Sequence, residues 1–133
     1  MVKVLVTASV KVTGGPTLPV STTLEPTSYT FGSVDLAAAG GDGDSDDLPL
    51  LPDGGEVAFL ALNVVQDGGR PGRVDVKAVN GTTEGATVAV DGALFVSGTG
   101  LLAALVAGGP RTLTLTNLED GPVTVEVLTG LDG

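Results

Sequence analysis

The chain contains no cysteine, no histidine and no tryptophan, and only one tyrosine and three phenylalanines in 133 residues. Without cysteine there are no disulfides and no thiolate nucleophile. Without Cys and His together, zinc sites of the usual kind and a Ser-His-Asp triad are excluded. The missing cysteine leaves the compartment open and means only that stability does not depend on redox state. The side chain that most often moves protons at neutral pH is also missing, so a catalyst would need shifted carboxylates or lysines. No reaction is indicated. With so few rings, the core must be built from Val, Leu and Ala; apolar residues make up 42% of a 13.0 kDa chain, enough for one real core.

Positive charge is scarce as well: 6 Lys and Arg stand against 16 Asp and Glu, for a net charge of -10 and a pI near 4.1. Such a surface repels phosphate backbones and anionic lipid, and the few aromatics offer single strands no stacking platform. Neither nucleic acid nor membrane is expected as a partner. No stretch approaches the roughly 18 apolar residues of a transmembrane helix. "MVKVLVTASVKV" sets Lys3 and Lys11 inside an alternation instead of ahead of an apolar run, so it does not read as a signal peptide. Synthesis in the cytoplasm is the expectation.

What is present in quantity is period-2 alternation. Val2, Val4, Val6, Ala8, Val10 and Val12 share one side of the first segment, which predicts a long half-buried strand ended by Gly14, Gly15 and Pro16. "VSTTLEPTSYTFGSVDL" predicts two extended pieces divided at Pro26, with Tyr29 and Phe31 on one face. "EVAFLALNVV" reads as a strand covered on both sides. In "RVDVKAV", Val74, Val76 and Ala78 point inward, and Asn80-Gly81 suits a tight hairpin turn. "ATVAVDGALFVSG" gives another strand, interrupted at Asp91-Gly92, and "LLAALVA" is the best helix candidate. At the C-terminus, Leu113 and Leu115 face one way, Val123, Val125 and Val127 face inward, and "LEDGP" between them predicts a hairpin. The sum is an all-β chain, an antiparallel β-sandwich or jelly roll of roughly eight strands with at most one short helix. Glycine and proline fall between the periodic segments, so residues 1–133 read as one β-sandwich domain.

"GGDGDSDDLPLLPDGGE", residues 40 to 56, concentrates six carboxylates with no basic residue. Asp42, Asp44 and Asp46 have the alternate spacing by which a tight loop turns carboxylates toward one hard cation, and Asp53 falls twelfth counting from Asp42, where a calcium loop places its last ligand. Asp47 stands where the sharp bend needs glycine, and Pro49 and Pro52 stiffen the second half. That argues against an EF-hand. A looser calcium loop using Asp42, Asp44, Asp46 and Asp53, a docking surface for a basic partner, and a solvated mobile connection remain, the last being the usual fate of such a charge run.

Other candidates have plain alternatives. Asn80-Gly81-Thr82 matches a glycosylation sequon but is better read as a turn. Arg70 and Arg73 could grip an anion, or pair at the surface with the abundant carboxylates. The Thr-rich faces of residues 21 to 30 and 112 to 116 suit water, a neighbouring subunit or a carbohydrate.

The order "DGALFVSG", "LLAALVAGGP" and "RTLTLTNLEDGPVTVEVLTG", with a Thr/Leu strand ending on Asn117, a short acidic turn and a Val strand, resembles the small β-sandwich structural proteins of tailed bacteriophages. The N-terminal Val/Lys strand and "TLEPTSYTFGSVDL" fit the same layout, so the likeness spans nearly the whole chain. It implies a non-enzymatic part in a virion: capsid decoration, or a neck, tail or baseplate subunit. Its implied partners are copies of itself and the major capsid or tail protein, with no cofactor and no catalytic residues. The N-terminal strand, the acidic loop and "LLAALVA" are the candidate contacts. The competing expectation is a calcium- or carbohydrate-binding module of a surface protein, and a glycosidase using paired carboxylates ranks behind both.

Overall fold

The computed structural model describes residues 2–51 and 55–133. It contains ten strands and one helix: β1 Val4–Lys11, β2 Thr17–Leu24, β3 Ser28–Leu36, β4 Ser45–Pro49, β5 Glu56–Gln66, β6 Arg73–Asn80, β7 Thr83–Asp91, β8 Ala93–Ser97, α1 Thr99–Leu105, β9 Thr112–Asn117 and β10 Val123–Asp132. All pairings are antiparallel. Eight of the strands form two four-stranded sheets, ordered β3-β10-β5-β8 and β4-β9-β6-β7. The chain passes from one sheet to the other at almost every connection, and the first and last of the eight strands lie side by side. This is a jelly roll.

Alternation explains which residues meet. Leu60, Leu62 and Val64 of β5 and Val125 and Val127 of β10 point to Val74, Val76, Leu113 and Leu115 of the facing sheet, and all are buried. The joint core is entirely Val, Leu and Ala, as the shortage of aromatics requires. Helix α1 closes one end of the core with Leu102, and Val106 just beyond it is also buried. There the Leu105 carbonyl comes so close to Gly85 of β7 that no side chain fits at residue 85.

Three sequence expectations need correction. The segments 112–117 and 123–132 are not a hairpin: β9 pairs with β4 and β6, whereas β10 pairs with β3 and β5. Each strand has one apolar face, and those faces oppose each other across the core instead of lying edge to edge. Residues 45–49, read as part of a solvated loop, are the edge strand β4. The first strand is not half-buried along its length. It pairs only with β2 among the described residues, and every residue from Thr7 to Thr23 is exposed.

Residues 2–24 therefore form a two-stranded arm outside the jelly roll. Its tip turns through Gly14, which adopts a φ of 73°, with Gly15 N donating to Val12 O at 2.8 Å. Its root is held where Val2 N donates to Pro26 O at 3.0 Å and Thr27 N to Asp132 Oδ1 at 3.2 Å.

Candidate functional site

The two outer faces of the jelly roll differ in chemistry. The register of the β4-β9-β6-β7 sheet sets Asp47 beside Thr114, Lys77 and Thr87 in one row, and Ser45 beside Thr116, Asp75 and Ala89 in the next. Thr114 Oγ1 donates to Asp47 Oδ1 at 2.7 Å, and Lys77 Nζ meets Glu84 Oε1 at 3.2 Å. The threonines of 112 to 116 are good β-formers on a wet, polar face.

The opposite sheet is apolar over part of its outer face, and polar beyond it where Ser33, Glu126 and Asn63 form a row. One row runs Phe31, Leu128, Ala61, Phe95, and the next runs Tyr29, Gly130, Phe59, Ser97. Every aromatic residue of the chain lies in these two rows. Phe31 is 59% exposed, Tyr29 55% and Phe95 40%, and a shallow groove beside Phe31 is lined by Ala61, Asn63, Glu126 and Leu128. Phe59 is only 1% exposed although it stands outside the joint core. Its ring tilts against Phe95 with centroids 6.1 Å apart, lies over Gly130, and shares a cleft with Leu24, Glu25 and Pro26 at the root of the arm. Tyr29 and Phe31 were legible from alternation. Phe59 and Phe95 joined them only through the sheet order.

The arm carries the matching chemistry. Its register puts Val4 opposite Leu24, Val6 opposite Thr22, Ala8 opposite Val20 and Val10 opposite Leu18, all on one face. Lys3, Leu5, Thr7, Ser9 and Lys11 occupy the other. The root residues Val2, Val4, Val6 and Leu24 are half-buried; toward the tip, Val10 at 58% and Leu18 at 62% are open to water.

The acidic stretch is tied down more firmly than a charge run suggests. Ala37 N donates to Gly43 O at 2.9 Å, Gly40 N to Asp44 Oδ2 at 3.0 Å and Asp47 N to Asp46 Oδ1 at 2.8 Å. Asn117, 1% exposed, holds it from below: its backbone N donates to Asp44 O at 2.8 Å, its Nδ2 donates to Ala37 O just ahead of the stretch and to Gly121 O, both at 2.9 Å, and its Oδ1 accepts from Glu119 N at 2.8 Å. Asp42 is exposed, Asp44 serves its own loop, and Asp46 lies on the edge strand. Among the described residues no three carboxylates converge closely enough to hold a metal ion. Asp53 lies outside the described residues.

The remaining candidates have structural uses. Arg73 Nε pairs with Asp91 Oδ1 at 3.2 Å on the surface, whereas Arg70 lines a polar cleft of about 500 Å³ with Asp67, Glu119 and Asp120. The two arginines do not form one anion site. Asn80 Nδ2 donates to Ala107 O at 3.3 Å and Gly109 O at 3.0 Å, and the positive φ of its turn falls on Gly81. No helix among the described residues is long and apolar enough to cross a membrane. "LLAALVA" supplies Leu102 and Val106 to the core and leaves Leu101 65% exposed.

Comparison of the chain with protein-family models, curated proteins and solved structures gives no match.

Proposed function

We propose that the protein is a non-enzymatic structural subunit of a phage or phage-like particle, a capsid decoration or a neck or tail component, which works by associating with copies of itself or with a capsid or tail lattice. The observation that carries this reading is the arm. A two-stranded hairpin is at best marginally stable alone in water, and here residues 7 to 23 are all exposed with an apolar stripe along one side. Such a ribbon gains its stability from a surface it lies on. Jelly rolls serve capsids, lectins and other roles alike, so the fold agrees with the reading without choosing it.

The test is sedimentation and negative-stain microscopy of the purified chain, alone and with the shell and tail proteins encoded beside it. Assembly, or decoration of those particles, is expected. A chain that stays monomeric and ignores every particle component overturns the proposal.

A carbohydrate-binding module is the second reading, favoured by the three exposed rings of Tyr29, Phe31 and Phe95 on one sheet face. It leaves the arm without a purpose. Calorimetric titration with soluble polysaccharides separates the two readings: heat of binding that vanishes in Phe31→Ala would favour the module.

A further inference from the structure

We infer that the partner of the arm is a second copy of this chain, and that its apolar stripe lies across the aromatic outer face of the β3-β10-β5-β8 sheet in that copy. The inference rests on the assembly reading above and names the contact.

Charge gives the first argument. Residues 2–24 hold Lys3 and Lys11 and no carboxylate, so the arm carries +2 and leaves -12 on residues 25–133 of a chain with net charge -10. Two bodies of -12 repel each other, and a face-to-face contact between jelly rolls works against that repulsion. The arm is the apolar surface of opposite sign. With its stripe down on a neighbouring body, Lys3 and Lys11 on the back of the ribbon stay in water and weaken the repulsion between the two bodies.

The receiving face gives the second. Within its own chain it already borders the arm's root, where Leu24 lines one cleft with Phe59. The adjoining Phe31, 59% exposed, and the half-buried Leu128 and Ala61 line a groove of the same chemistry that is open among the described residues. The tip cannot be satisfied by its own root, because it points beyond it.

Size gives the third. Eight residue pairs make a ribbon about 27 Å long and about 10 Å wide. One such face covers a few hundred Å² on each partner, and a reciprocal exchange doubles it, which reaches the roughly 1,000 Å² total that a specific contact needs. Two arms, exchanged about a twofold axis, satisfy the stripe and the aromatic rows at once; a different rotation closes the same contact into a ring.

The experiment measures mass by light scattering across a concentration series for the full chain and for Val10→Asp and Phe31→Asp. Both positions are exposed, so neither variant is expected to disturb the core, and an unchanged circular dichroism spectrum is the control. The wild-type chain is expected to associate, and each variant to weaken that association by on the order of tenfold or more. The chain has no native cysteine, so a mixture of Val10→Cys and Phe31→Cys chains treated with a short bis-maleimide is expected to yield a linked pair containing one of each. Association that ignores both Asp variants overturns the inference and leaves the assembly reading standing. So does linkage within a single monomeric Val10→Cys/Phe31→Cys chain, which would place the arm on its own sheet. A wild-type chain that is monomeric alone yet decorates particles assigns the arm to the lattice and also overturns the inference. Binding of polysaccharide at Phe31 by a monomer overturns both readings.

Discussion

Phe59 occupies the space that a side chain at Gly130 would need: a methyl group on residue 130 would run into the Phe59 ring. The two residues are cross-strand partners on the outer face of their sheet, and the β10 ladder shifts register immediately after Gly130. Gly130→Ala is therefore an overpacking change. It is expected to cost about 1–3 kcal/mol and to lower Tm by several degrees. Combining it with Phe59→Leu should recover part of the loss, a coupling of about 0.5–3 kcal/mol in a double-mutant cycle. Additive effects would show that the ring does not rest on residue 130.

Asn117 joins the end of β9 to both the acidic stretch and the turn before β10. Removing its side chain strands the carbonyls of Ala37 and Gly121 and the amide of Glu119. Each unpaired buried group costs about 1–3 kcal/mol, so Asn117→Ala is expected to lose about 2–4 kcal/mol by urea unfolding. Asn117→Asp should be worse at neutral pH, because a buried carboxylate would face two carbonyl oxygens. Burial raises the folded pKa of that new group, so the penalty is present at neutral pH and is relieved as pH falls through that value, when the protonated acid regains one donor. A stability difference between Asn117→Asp and wild type that does not shrink on acidification would count against this arrangement.

Thr129 is 1% exposed, and among the described residues its Oγ1 has no hydrogen-bond partner. It faces the core between Thr30 and Leu60. Valine has the same shape without the hydroxyl. Thr129→Val is expected to raise stability by about 1 kcal/mol, since it removes a buried polar atom whose bond is unmade. A clear loss in chemical denaturation would mean that the hydroxyl is satisfied in solution.

The inward residues Val74, Val76, Ala78, Leu113, Leu115, Val123, Val125 and Val127 were legible because period 2 is a local property of a half-covered strand. Strand pairing was not. Leu113 and Leu115 would point to one side whether β9 lay beside β10 or opposite it, and "LEDGP" is turn-forming in either case. The same limit hid the aromatic face: Tyr29 and Phe31 share a face by alternation, but Phe95 reaches it only because β8 joins β5. For the acidic stretch, charge density announced a loop, whereas the bond that anchors it to the body, Asn117 N to Asp44 O, comes from more than 70 positions away and is visible only once β4 is paired with β9. The arm shows the opposite failure. Its alternation matches that of a core strand, and nothing local to Val4–Lys11 says that the surface it would cover is missing.

That missing surface predicts a separation of stabilities within one chain. Among the described residues, the hydrogen bonds of β1 and β2 are made with each other and at the root, and the backbone around them is open to water. Those of β10 and β5 lie in the middle of a sheet over the joint core. Amide hydrogens in stable sheets exchange only through cooperative opening, whereas an exposed ribbon opens alone at little cost. In dilute monomer, the amides of residues 5 to 11 are expected to exchange at least about a hundredfold faster than those of Leu60, Leu62, Val125 and Val127. Raising the concentration into the range where copies associate should slow the arm selectively, because the apolar stripe is then covered. Deleting residues 1–24 should leave the exchange of Leu60, Leu62, Val125 and Val127 unchanged, since no residue of that segment belongs to the joint core. Slow exchange throughout the arm at high dilution would place it on the body of its own chain.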